Sequence, residues 1–98
     1  MKDILPVFLL LFLLGRWASV EDSSFTIAFW KDSLVTVLDH RTDALQEGTG
    51  RYALHKDILT IRGTDVWDGK FRVKVSGDNL ILIEENGREN RFMKRPKN

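Results

Sequence analysis

The chain contains no cysteine. Disulfide cross-links, thiolate metal ligands and a cysteine nucleophile are therefore excluded, although this absence does not choose a compartment. His40 and His55 are the only imidazoles, and they show neither an HxH nor an HExxH spacing, so they read as surface histidines rather than metal ligands. No sign of charge dominates: 15 Lys and Arg are interleaved with 14 Asp and Glu, for a formal net charge of +1. A total so balanced gives no strong long-range field toward nucleic acid or anionic lipid. A Gly-rich phosphate loop and a nucleophile-elbow sequence are also missing, so no reaction is written in the motifs. The longest apolar run, Ile4 to Leu14, has eleven residues. As a helix it would cover roughly 17 Å against ~30 Å of bilayer hydrocarbon, too little to cross.

What is present is an ordinary globular composition. The 98 residues are 43% hydrophobic and 30% charged, enough for one domain with a single modest core. A domain of this size hides only about 60 to 65% of its unfolded surface, which leaves little area for a large empty pocket. We divide the chain into an apolar leader, residues 1–15, and a β-domain, residues 16–98.

Two readings of the leader compete. As an export signal its length fits, and Lys2 with the amino terminus outweighs Asp3. The cleavage site is poor, because a cut after Ala18 or Ser19 places Arg16 or Trp17 at the minus-three position; a cut after Gly15 is the least unfavourable. Alternatively the segment stays on the chain as an anchor or as a helix capping the β-domain, with Pro6 tolerated in the first turn. The expected location is accordingly secreted, periplasmic or membrane-associated through residues 4–14, with a cytoplasmic chain carrying a retained cap as the alternative. In each case so apolar a segment needs cover from water.

From Phe25 to Arg95, short alternating apolar and polar runs are separated by turn sequences every eight to twelve residues, the pattern of an antiparallel meander. Phe25, Ile27 and Phe29 share one face, as do Tyr52 with Leu54 and Leu59 with Ile61. The cleanest alternation is Trp67 to Val75, with Trp67, Phe71, Val73 and Val75 inward, a gap at Gly69, and Asp68, Lys70, Arg72 and Lys74 outward. Asn86-Gly87 is a strong hairpin signal because both residues accept positive φ. With a short first strand at Arg16 to Ser19, the count is eight. An up-and-down sheet of that size leaves unpaired edges unless it closes, so the pattern predicts an all-β small antiparallel barrel behind an apolar N-terminal helical segment. The polar stretch His40 to Thr49 is the longest predicted loop and the expected rim of any site.

Leu13-Leu14-Gly15-Arg16-Trp17 at the start of the first strand resembles the Gly-x-Trp opening of lipocalin-like domains. The runs Gly48-Thr49-Gly50-Arg51-Tyr52, Asp57-Ile58-Leu59-Thr60-Ile61, Val75-Ser76-Gly77-Asp78-Asn79-Leu80 and Arg91-Phe92-Met93-Lys94-Arg95 are similar in order to small bacterial lipocalin-like β-domains. The resemblance spans roughly Leu14 to Arg95. It implies structural roles for Gly15 and Trp17, and a basic side chain from the last strand over Trp17. Arg91 is the first choice for that side chain, with Lys94 and Arg95 as alternatives; such a contact is worth about 0.5 to 2 kcal/mol. At about half the length of large lipocalins, the chain is not expected to carry their deep cup.

Asp39, Asp43 and Glu47 lack the spacing of a calcium loop and read as solvated carboxylates. Glu84 and Glu85 flank a turn and read as solubilising. Lys70, Arg72 and Lys74 form a basic row without outward aromatics beside it, which disfavours nucleic acid. If Leu80 and Leu82 are inward, Ile81 and Ile83 emerge outside, and Trp30 does the same on its own strand. A sheet apolar on both faces needs a cover: the leader, a second copy in a homodimer, or a partner protein. The sequence therefore points to a noncatalytic binding or interaction module without cofactor or metal. In one form a small apolar ligand enters near residues 40–49, lined by Phe29, Tyr52 and Trp67. In the other the core is filled and the outer strip of Trp30, Ile81 and Ile83 acts as the interaction surface.

Overall fold

The computed structural model describes residues 10–95. Expectations that fall on residues 1–9, including Lys2, Asp3, Pro6 and the first part of the apolar run, lie outside the described residues.

Eight strands follow one another: β1 (Gly15–Ser19), β2 (Phe25–Phe29), β3 (Leu34–Asp39), β4 (Gln46–His55), β5 (Ile58–Arg62), β6 (Gly69–Ser76), β7 (Asn79–Ile83) and β8 (Glu89–Lys94). Each is antiparallel to the next, and β1 pairs with β8 through Trp17↔Lys94, Ala18↔Met93 and Ser19↔Phe92, so the sheet closes into a barrel. Closure removes the unpaired backbone edges that an open meander would expose. The expected all-β up-and-down barrel of eight strands, with a short N-terminal helix, is the fold observed.

Period-two facing explains the core. Ile27, Phe29, Val35, Val37, Leu59, Ile61, Phe71, Val73, Leu80, Leu82 and Phe92 are all buried, while Lys70, Arg72 and Lys74 alternate outward on β6. Gly69 has φ +149°, and the Phe71 ring lies 3.6 Å from where its Cβ would stand, so the gap in that row is filled by a neighbour's ring.

The boundaries differ from expectation in three places. The strand expected at Gly50 begins at Gln46, so residues 46–49 leave the predicted loop, whose irregular part is only 40–45. The reason is that Gly48 and Gly50 pair with Val37 and Val35 while presenting no side chain to the interior. Trp67 precedes β6 rather than opening it, because Asp68 is occupied in holding the preceding loop. The Asn86-Gly87 turn lies within a five-residue connection, 84–88, closed by Glu84 N donating to Arg88 O at 2.8 Å. Of that pair only Gly87 takes positive φ, at +92°.

An up-and-down barrel sorts its connections onto two ends. One end, here the leader end, carries residues 10–14, the β2–β3, β4–β5 and β6–β7 connections and the end of β8. The far end carries residues 20–24, 40–45, 63–68 and 84–88.

Candidate functional site

At the leader end, residues 10–13 are helical and the Leu14 amide donates to Leu10 O at 3.1 Å. Helical spacing puts Leu10, Leu13 and Leu14 toward the barrel. Leu13 is fully buried and Leu10 packs on the core, whereas Leu11 and Phe12 remain 61% and 58% exposed. The segment is stitched down by polar contacts as well. The buried Trp17 Nε1 donates to Leu13 O at 2.9 Å, and Lys94 Nζ donates to Leu14 O while lying 4.6 Å from the Trp17 ring centroid. Lys94 therefore fills the role expected first of Arg91, which instead is exposed and bridges Glu89 at 2.6 Å. The cause is strand parity: Phe92 and Lys94 face inward, so Arg91, one residue before Phe92, must face out, as Met93 does. Gly15 is needed twice, since its φ is +118° and a Cβ there would come 2.8 Å from Lys94 Nζ.

The far end is closed by the chain itself. A Cβ at Gly48 would stand 1.9 Å from Thr64 O, and one at Gly50 would stand 2.1 Å from Arg62 O. The β5–β6 connection thus lies directly on the bare backbone of β4. It is locked by Asp68, whose Oδ1 accepts from Thr64 N at 3.0 Å and from Thr64 Oγ1 at 2.6 Å; Thr64 Oγ1 in turn accepts from Trp67 N at 3.0 Å. Burial pushes the Asp68 carboxyl up, but the Thr64 hydroxyl and the amides of Thr64, Asp65 and Gly63 outweigh it and hold the group below the usual range. The lock places Trp67 on Phe71 (4.5 Å between centroids), edge-on to Phe25 (5.3 Å) and near Phe92 (6.0 Å). Beside it, Arg41 lies 4.3 Å from the Phe25 centroid and forks onto Asp39 at 2.9 and 2.8 Å. Hydrogen bonding from that guanidinium lowers Asp39 to about 2.

The residues expected to line one opening are not assembled. Phe29 and Tyr52 meet edge-on at 5.1 Å toward the leader end, both buried, and Tyr52 Oη donates to Trp30 O at 2.8 Å. Burial raises the Tyr52 pKa. Trp67 and the 40–45 loop are at the opposite end. Nor do Trp30, Ile81 and Ile83 form one strip. Trp30 follows β2, where its Nε1 reaches Thr36 Oγ1 at 3.3 Å and Arg16 lies 5.8 Å from its ring. Ile81 and Ile83 are on β7, three strand positions away around the closed sheet, half-buried between Lys74 and Arg91 and between Arg72 and Glu89. The stems of those long charged side chains give the isoleucines partial cover.

Two open concavities are prominent. One, about 450 Å³, lies on the outer wall and is lined by Ile58, Lys70, Arg72, Ile83, Glu84 and Glu85 among others. The second, about 650 Å³, lies at the leader end between Leu10, Leu14, the Lys31–Ser33 turn and Tyr52–Leu54. Sequence reasoning missed this groove because it needs the leader folded onto the barrel. His40 and His55 lie at opposite ends, and no cluster of three or more His, Cys, Asp or Glu able to hold a metal occurs among the described residues. Among those residues no helix is long and apolar enough to cross a membrane. No protein-family model, curated protein or solved structure matches the chain.

Proposed function

We propose that this chain is a noncatalytic, lipocalin-like interaction module that works at a membrane: a small filled barrel carrying its apolar leader as an integral part. The observation that carries the reading is the seating of Leu13. It is fully buried in the core, its carbonyl accepts the Trp17 indole proton, and the adjacent Leu14 carbonyl accepts from Lys94. A cut after Gly15 would withdraw all three and uncover the Trp17 ring, so the seating favours a retained leader over a discarded signal. With Leu11 and Phe12 outward on the same turn, one face of the leader is committed to the barrel and the other is free to meet apolar surroundings. The lipocalin-like part of the reading draws support from the closed meander and from the lysine lying over the first-strand tryptophan.

Binding then uses outer surfaces. Phe29 and Tyr52 stack into the core at one end and Trp67 seals the other, so a small ligand would meet rings and backbone rather than a cup.

The test is to express the whole chain with a C-terminal tag, fractionate the cells and measure the mass of the mature protein. Recovery with Met1 intact in the membrane fraction is expected. Recovery as an intact chain in the soluble cytoplasm, or as a product trimmed at or beyond Gly15, would refute the proposal.

A further inference from the structure

The nearly neutral total conceals a segregation of charge that only the fold creates. The far end and its rim gather Glu21, Asp43, Glu47, Asp65, Glu84 and Glu85, with further carboxylates at Asp22, Asp39, Asp68 and Glu89, against the cations Arg41, Arg62, Lys70 and Arg88. At the leader end the excess is reversed: Arg16, Lys31, Arg51, Lys56 and Arg95 are exposed there, against the carboxylates of Asp32, Asp57 and Asp78. Asp57 is drawn toward Arg72 at 3.8 Å. Arg51 donates to the backbone carbonyl of Asp32 rather than to its carboxylate, at 3.1 Å. These basic residues therefore share the barrel end at which exposed Leu11 and Phe12 stand, and the residues that precede those two in sequence, Ile4 to Leu9, carry no polar side chain.

We infer that the leader end is a docking face for an anionic phospholipid surface, with the apolar tip entering the interface and Arg16, Lys31, Lys56 and Arg95 facing the headgroups. This rests on the membrane reading above and specifies its lipid class and orientation. The choice of partner follows from charge complementarity combined with the tip. A short apolar element alone gives marginal binding, and a second, electrostatic signal makes it stable. Each basic side chain near an anionic leaflet adds about fivefold in affinity. The acidic far end is repelled by the same surface, so the barrel stands with residues 40–45 and 63–68 pointing away. The groove between Leu10, Leu14, Tyr52 and Leu54 lies beside Lys31 on this face, offering an apolar wall next to a cation.

Sedimentation of the full chain with phosphatidylcholine vesicles, with and without phosphatidylglycerol, tests the inference. Binding about tenfold or more tighter to the phosphatidylglycerol vesicles is expected, falling as salt rises to about 0.5 M. The double variant Lys31→Gln with Lys56→Gln is expected to lose about 25-fold on the anionic vesicles and nothing on the neutral ones. The far-end variant Lys70→Gln with Arg88→Gln should behave as the parent; circular dichroism confirms that each variant is folded. Equal, salt-independent binding to both vesicles would overturn the lipid selectivity and leave membrane association standing. Absence of binding to either vesicle would overturn both, and a dimer in that case would assign the apolar tip to a second copy of the chain.

Discussion

At the leader end the barrel is sealed by apolar burial, with Leu13 and Trp17 fully enclosed and one lysine laid over the indole. At the far end the seal is polar and made of backbone: the 63–68 connection rests on Gly48 and Gly50 and is held by the Thr64 and Asp68 side chains. The carboxyls held below their usual range, Asp22, Asp39 and Asp68, all belong to the far end. One seal therefore depends on area removed from water and the other on close fit and ionisation. The first should tolerate acid and respond to loss of volume; the second should do the reverse.

Trp17→Ala is the strongest way to break this contrast. Removing a fully buried indole costs about 4 kcal/mol, read as a drop in the urea midpoint. A loss below about 1 kcal/mol would mean that the leader end is not held by burial. Gly48→Ala should cost about 3 kcal/mol, because the new methyl meets the Thr64 carbonyl and backbone must move; the leader's contacts should persist. A stable Gly48→Ala protein would show that the far-end loop has room to lift. The smallest effect is acid sensitivity. Asp39 is lowered to about 2 in the folded chain, against an ordinary ~3.9, so its stabilisation is complete above roughly pH 5 and drains away as pH falls through about 2. Being near the surface, it contributes about 1 kcal/mol or less after solvent screening. Comparing urea midpoints between pH 5 and pH 2 for the parent and Asp39→Asn isolates the share due to Asp39, and an identical slope would remove that residue from the account.

The barrel itself was legible because period-two facing survives averaging over a whole strand. Lys70-Phe71-Arg72-Val73-Lys74 could be assigned to two faces from residue type alone. The same rule, applied more strictly, would have chosen Lys94 over Arg91, since a partner for an inward tryptophan must share the parity of Phe92. Gly48 and Gly50 also left a signal. Two glycines two apart put two bare positions on one face of a strand, the mark of a backbone crossing close by. The Thr64–Asp68 lock left less trace, because its meaning depends on where the loop lands. Hidden most fully was the charge segregation, in which residues scattered along the chain are gathered by alternating strand direction.

The seam between β1 and β8 has a consequence for how the chain comes to fold. Its three paired positions join residues from the two extremities, and Arg95 N donates to Arg16 O at 2.9 Å just beyond them. The indole near the start of the polypeptide therefore cannot be housed until the final strand has been synthesised and brought back to it. Contacts so distant along the chain make for slow folding. Until that strand arrives the sheet cannot close, and the backbone edges of β1 and of the latest strand stay unpaired.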